Sequence, residues 1–189
     1  MPALVAVVVG ILLGSAIGGS VSGLASLRLR FEWLILPLFV FQALARGRFL
    51  GLVGATSWSL SIWTVASCAL VVASLSNWRT PGMVLGALGI LMNLDVSLLN
   101  SAMPVVLRDS AHFSPVIAAQ LAVTTGGFYR VASSGDLLVW LGDAIPVGWS
   151  GSLFLVSPGD VVLAVAMAIV IVYGMGLDPS IGRASRASG

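Results

Sequence analysis

The sequence predicts an all-α fold: a polytopic transmembrane helical bundle of about five spans, with an interfacial loop before the last of them. Three observations carry this. Met1–Ile17, Trp33–Ala45, Ala55–Leu75, Met83–Leu91 and Val161–Met175 contain no charged side chain. Only 8% of the 189 residues are charged while 58% are hydrophobic, whereas a water-soluble domain carries about 25% charged residues. The apolar runs also approach the roughly 20 residues that cross about 30 Å of hydrocarbon. Residues 1–177 are therefore expected to form one integral membrane domain, and 178–189, small and polar, a disordered tail.

The first span is expected over Met1–Leu24. It has no basic flank of the kind that opens a cleaved signal. Gly10, Gly14 and Gly18 recur every four residues, and Gly19 and Gly23 repeat the interval. Such G-x-x-x-G patterns expose backbone on one face, and close backbone approach is a main driver of helix association in lipid. Trp33–Ala45 is a shorter second run, which Trp33 and the following Arg46 and Arg48 can extend by interfacial anchoring and snorkelling.

A third span over about Leu50–Ser76 carries Ser57, Ser59, Ser61, Thr64 and Ser67 and ends at Asn77-Trp78-Arg79-Thr80-Pro81-Gly82. Its hydroxyls can bond back to their own helix carbonyls. Cys68 lies within it in an apolar setting that suggests a packed small residue. The fourth span, Met83–Asn100, aligns Gly86, Gly89, Asn93, Val96 and Asn100 on one stripe, with Asp95 about 200° round from Asn93 by the helical period. Polar groups on both sides require either surrounding protein or a last turn lifted out of the hydrocarbon.

Ser101–Ser157 does not read as spanning. Its short apolar stretch, Val116–Val123, and its tryptophans Trp140 and Trp149 suit a loop lying at, or dipping into, the membrane interface. Ser133-Ser134-Gly135-Asp136 could start a short helix through Trp140. Ser157-Pro158-Gly159-Asp160 opens the fifth span, to about Leu177, with Ser as N-cap, Pro at the first helical position and an acid at the third.

Composition narrows the chemistry. Cys68 and His112 are the single cysteine and histidine, and all nine basic residues are arginine. A disulfide within the chain, a thiol pair, bis-histidine haem and a lysine Schiff base are thereby excluded. No metal site and no cofactor is assigned. The net charge of +2 is too small to argue for nucleic acid. With five spans, Arg28, Arg30, Arg79, Arg183 and Arg186 share one side and Arg46, Arg48, Arg108 and Arg130 the other, which favours an outside N-terminus and a cytoplasmic C-terminus.

The chain resembles a small bacterial membrane-protein family catalogued only as a domain of unknown function. The matching elements are Gly18-Gly19, Gln42, Asn100-Ser101-Ala102-Met103-Pro104-Val105, Leu141-Gly142-Asp143-Ala144-Ile145-Pro146 and Ser157-Pro158-Gly159-Asp160, in that order. The family pattern has glycines where this chain has Ser101 and Ala102. The resemblance implies a multi-pass protein of the bacterial inner membrane and no activity.

Candidate binding residues are Asp95, Asn93, Asn100, Gln42, Asp143, Asp160 and Arg130; none is assigned a catalytic role. Asp143 and Asp160 could pair at the outer face above Asp95, Asn93 and Asn100, holding a cation or exchanging a proton. Capping explains Asp160 and a turn explains Asp143 equally simply. Asp95 lacks such a role, and Arg130 is its best-placed partner, with Arg108 and Gln42 as alternatives. Three functions stay open. The first is a non-enzymatic accessory or scaffold subunit, its partners being membrane lipid and other membrane subunits or a second copy of itself. The second is a transporter or ligand-binding protein with a polar site around Asp95, Asn93 and Gln42. The third is an intramembrane enzyme acting on a lipid-linked substrate through Asp143 or Asp160.

Overall fold

The computed structural model describes residues 2–45, 59–107, 128–149 and 152–176. The fold is mostly helical, and five α-helices follow the five predicted segments: α1 (Pro2–Ala16), α2 (Glu32–Ala45), α3 (Ser59–Ser76), α4 (Met83–Leu99) and α5 (Pro158–Met175). Among the described residues one helix, α5, is long and apolar enough to cross a membrane. His112, Arg108, Val116–Val123, the start of the expected third span and the 178–189 tail lie outside the described residues.

Each boundary has a local cause. At the end of α1, Gly18 adopts φ +85°, its N–H reaches the Ser15 carbonyl at 3.1 Å, and Gly19 N–H reaches the Gly14 carbonyl at 2.8 Å. This is the two-bond Schellman closure, and it stops the helix well before the Leu24 expected from hydropathy. A 3-10 turn over Val21–Ser26 follows. Gly82, at φ +90°, is the N-cap of α4. The serine hydroxyls of α3 bond back as expected, Ser67 to the Trp63 carbonyl and Ser76 to that of Val72, both at 2.7 Å. Cys68, expected to be packed, is exposed on α3.

In space the helices neighbour one another in the order α1, α5, α4, α3, α2. The last helix thus inserts between the first and the fourth, parallel to α1 and antiparallel to α4. Glycines permit both contacts. A Cβ on Gly10 would lie 3.0 Å from Ile171 Cβ and 3.2 Å from Ala168 Cα, and one on Gly19 3.0 Å from the Met175 carbonyl. On the other side, a Cβ on Gly82 would meet the Ala166 carbonyl at 2.6 Å, and one on Gly89 the Gly159 carbonyl at 2.8 Å. The α1 glycine face is therefore used inside the chain, with Gly10 and Gly14 against α5 and Gly18 ending the helix.

The segment between α4 and α5 corrects the all-α expectation: it contains short strands. β1 (Met103–Val105) pairs in parallel with β2 (Tyr129–Val131), and β3 (Ile145–Trp149) pairs antiparallel with β4 (Ser152–Val156) in the register Ile145↔Val156 to Trp149↔Ser152. The short helix considered after Asp136 reduces to a 3-10 turn, Val139–Leu141. Strands of three to five residues containing Pro104, Pro146 and Gly148 are too short and interrupted to impose a period on the sequence.

These pieces form a cap over one end of the bundle, hereafter the strand end. The cap's core joins Met103, Val105, Phe128, Tyr129, Leu141 and Leu155 to Trp63 of α3 and Leu94 and Val96 of α4. The Trp63 and Phe128 rings lie 4.9 Å apart, and Phe128 meets Tyr129 edge-on at 4.9 Å. At the opposite end, the turn end, Ser20 N–H bonds the Met175 carbonyl at 2.9 Å, so the ends of α1 and α5 lie together.

Candidate functional site

The stripe read along α4 faces α5 and carries the polar centre of the molecule. Ser157 caps α5: its Oγ accepts the Asp160 N–H at 2.9 Å. The same hydroxyl donates to Asn93 Oδ1 at 2.7 Å, and Asn93 Nδ2 donates to Asp160 Oδ1 at 2.9 Å. Three hydrogen bonds thus close a ring of Asn93, Ser157 and Asp160, with Asn93 and Ser157 buried. A Cβ on Gly159 would collide with the Asn93 side-chain amide and lie 2.7 Å from the Gly89 carbonyl. Gly159 lets the backbones close, and Asn93 and Asp160 turn that approach into a polar lock.

Asn100 builds a second arrangement at the C-cap of α4. Its Nδ2 donates to the Val96 carbonyl at 2.7 Å and to the Leu137 carbonyl at 2.8 Å, while its Oδ1 accepts the Leu137 N–H at 2.8 Å. The amide thus pairs with a distant peptide unit as a neighbouring strand would. Arg130 completes the corner. Its Nη1 donates to Asp136 Oδ2 at 3.0 Å, its Nη2 to Asp136 Oδ1, and Nη2 also reaches the Asn100 carbonyl at 3.3 Å. Asp136 in turn accepts from the N–H and the hydroxyl of Ser133, each at 2.9 Å. The Arg130 guanidinium, ahead of the Ser133 bonds, holds the Asp136 carboxyl below its ordinary value of 3.8. Arg130 therefore pairs with Asp136, and the expected Arg130–Asp95 partnership is not made.

The other candidates separate. Asp95 is exposed on α4, one turn from its C-terminus and on the face opposite buried Asn93. Gln42 lies at the far side of the helix row, where its Nε2 donates to Ser67 Oγ at 2.8 Å. Asp143 is buried and enters the cap through its backbone: its N–H bonds the Pro104 carbonyl and its carbonyl accepts the Val106 N–H, both at 2.9 Å. Gly142 beside it sits where a Cβ would lie 3.1 Å from the Val139 carbonyl and closer still to that of Pro104. Of the expected set, Asp143 and Asp160 above Asp95, Asn93 and Asn100, the structure joins Asp160 to Asn93, while Asp95 is exposed on the opposite face of α4 and Asn100 turns to Leu137. Among the described residues no group of three or more His, Cys, Asp and Glu side chains is placed to hold a metal ion.

One residue escaped the sequence reading. Asn77, read only as part of the end of α3, repeats the Asn100 device: its Oδ1 accepts the Arg30 N–H at 2.7 Å, and its Nδ2 donates to the Arg30 carbonyl at 3.0 Å and the Ala73 carbonyl at 2.7 Å. The signal available was shared: both asparagines directly follow a long apolar helix.

The motifs involved in these contacts fall within one established grouping. Residues 26–172 match the model of DUF5317, a family of unknown function. The chain belongs to that family. The matched region runs from the end of the 3-10 turn to the last turn of α5 and includes both asparagine clamps and the Asn93–Ser157–Asp160 ring. No curated protein and no solved structure matches the chain.

Proposed function

We propose that this DUF5317 chain is a five-pass protein of the bacterial inner membrane acting as a non-enzymatic scaffold or accessory subunit, with its strand-built cap on the outer face. The observation that carries the reading is the use made of its polar side chains. Asn77, Asn93, Asn100, Arg130, Asp136 and Asp160 all bond to one another or to backbone of a distant segment. Groups held this way fix the geometry of a surface; turnover instead asks for groups that exchange protons or ligands.

Three features support the membrane setting. Outward faces of the helices present Leu4, Leu12, Val65, Val72, Leu88 and Val165, each exposed, over far more area than a soluble monomer leaves uncovered. Trp33 and Trp78 at the turn end and Trp140 at the strand end are exposed, as in the aromatic belts of membrane proteins. The described charges also divide by end. Arg28, Arg30, Arg79 and Glu32 lie at the turn end, and Arg130, Asp95, Asp136, Asp143 and Asp160 at the strand end. The excess of arginine at the turn end supports a cytoplasmic turn end. Asp95 then sits at the outer interface, where a carboxylate is tolerated more cheaply than at mid-bilayer.

In a Cys68→Ala background, single cysteines at Ser26 and Ser134 test this by labelling of intact spheroplasts. An impermeant thiol reagent should reach Ser134→Cys from outside and Ser26→Cys only after permeabilisation. Equal access to both overturns the five-pass reading. The scaffold role is tested by purification in mild detergent after in vivo crosslinking: a stoichiometric companion chain, or a second copy of this one, is expected, and a monomer carrying only lipid overturns it.

A further inference from the structure

A groove of about 260 Å³ opens between α2, α3, α4 and α5 towards the turn end. Ile35, Phe39, Ile90, Leu163 and Met167 line it, and Ser74 provides its one polar side chain. A lining of this kind suits an alkyl chain and offers almost nothing to a polar ligand. Its mouth differs. Leu29 lines the groove, and exposed Arg28 and Arg30 flank it in sequence. Gly82 lines it as well, three residues after exposed Arg79. Asn77 grips both the N–H and the carbonyl of Arg30, which fixes the Arg28–Arg30 segment beside the turn that carries Arg79. The Arg79 guanidinium lies 5.1 Å from the centre of the Trp78 ring. Among the described residues no carboxylate lies within salt-bridge distance of these three arginines.

From this apolar groove and the three exposed arginines close in sequence to its lining residues Leu29 and Gly82, we infer that the turn end holds an anionic glycerophospholipid, one acyl chain in the groove and the phosphate among Arg28, Arg30 and Arg79. The inference rests on the membrane reading above. Guanidinium groups match phosphate oxygens in pairs, and a basic recess between spans on the cytoplasmic side is the setting in which anionic headgroups are selected. The apolar groove argues against inorganic phosphate or a nucleotide, and the clustered charge against a neutral lipid. A bound lipid would bridge α2, which otherwise packs chiefly on α3, to α4 and α5.

The test is native mass spectrometry of the full-length protein, released from mild non-ionic detergent with equimolar phosphatidylglycerol and phosphatidylcholine of matched chains. Phosphatidylglycerol should be retained over phosphatidylcholine by about five-fold per engaged arginine, and glycerol phosphate alone should not be retained. The Arg28→Gln/Arg79→Gln double variant alters exposed side chains only and should lower the ratio about 25-fold, leaving the roughly five-fold preference of Arg30 alone. Ser74→Leu, which fills the groove, should lower retention of both lipids. Equal retention of the two lipids overturns the inference, as does a preference undiminished in the double variant or binding of glycerol phosphate as tight as that of the lipid. A chain that fails the Ser26/Ser134 labelling test loses the membrane reading itself; one that passes it without a phosphatidylglycerol preference loses only the lipid site.

Discussion

Asn77 and Asn100 close opposite ends of the bundle with the same chemistry, yet in different company. Each follows an apolar helix, returns one amide hydrogen bond to the carbonyl four residues earlier, and pairs with both backbone polar groups of one distant residue. At the turn end, Asn77 is buried and grips a short linker alone. At the strand end, Asn100 is partly exposed and shares its task with the Arg130–Asp136 pair, the Asn93–Ser157–Asp160 ring and a hydrophobic cap core. An identical side chain should therefore weigh differently at the two ends, according to how much else would hold if it failed.

The largest effect belongs to the strand end, where backbones touch. Gly159→Ala forces a methyl group into the Asn93 amide and against the Gly89 carbonyl, neither of which can yield without opening the ring. It should destabilise the protein by about 3 kcal/mol, read as a loss of thermal stability in detergent. If Gly159→Ala melts with the parent, α4 and α5 are not in backbone contact there and the polar lock is wrong.

The two clamps can be set against each other directly. Asn77→Ala should cost about 2 kcal/mol, because the amide is buried and leaves the Arg30 peptide unit unpaired. Asn100→Ala should cost about 1 kcal/mol, because its bonds to Leu137 are exposed and water can replace them. Chemical denaturation of both variants in one detergent gives the order, and the reverse order would show that neighbours set the weight of a clamp more than burial does.

The Arg130–Asp136 pair adds a pH dependence to the strand end. Arg130 lowers the Asp136 pKa, so the pair's stabilisation is fully present above the ordinary carboxylate value and is lost as pH falls through the lower folded value. The Arg130 side chain is 34% exposed, so the effect should stay under about 1 kcal/mol. Protection of the Ser133 and Leu137 amides from hydrogen exchange, taken relative to the intrinsic exchange rate at each pH, should fall in acid, and Asp136→Asn should show the lower protection already at neutral pH. Protection at Ser133 that stays constant from neutral pH into acid would remove the pair from the account of the cap.

The smallest effect has the opposite sign. Leu138 and Ser101 hold φ values of +51° and +55° beside the Asn100 clamp, a region that disfavours residues with a Cβ by about 1–2 kcal/mol. Glycine relieves that strain but adds entropy to the unfolded chain. Leu138→Gly and Ser101→Gly should therefore each stabilise the strand end by no more than about 1 kcal/mol, seen as a small rise in melting temperature. A fall at both positions would mean that the lost side chains matter more than the backbone.

Much of this architecture was legible from residue order alone. The five helical segments follow from uncharged runs, and the Ser157-Pro158 start of α5 from capping chemistry, because both depend on neighbours within one or two turns. The α4 stripe was visible too, since Gly86, Gly89, Asn93, Val96 and Asn100 share a face by the helical period alone. The opposed directions of Asn93 and Asp95 follow from that same period. What the stripe meets was not visible. Asn93 joins Ser157 and Asp160 more than 60 residues away, and no local pattern selects α5 over α1 or α3 as the neighbour of α4.

The same limit explains the misplaced partners. Arg130 was matched to Asp95 because an acid on an apolar helix demands a counter-charge if buried; exposure at the strand end removes the demand, and Asp136, six residues from Arg130, is the nearer carboxylate. The strands of the cap were missed because three to five residues with proline and glycine among them carry no detectable period. By itself the sequence determined the apolar class, the helical segments, the Ser157 cap of α5 and the face of α4 that must pack, all consequences of short-range geometry and hydration. Only the tertiary structure decided that α5 lies between α1 and α4, that two asparagines act as strand-like clamps, and that an apolar groove opens between α2, α3, α4 and α5. Those outcomes depend on which surfaces fit at backbone distance, a property of pairs of segments that neither segment encodes alone.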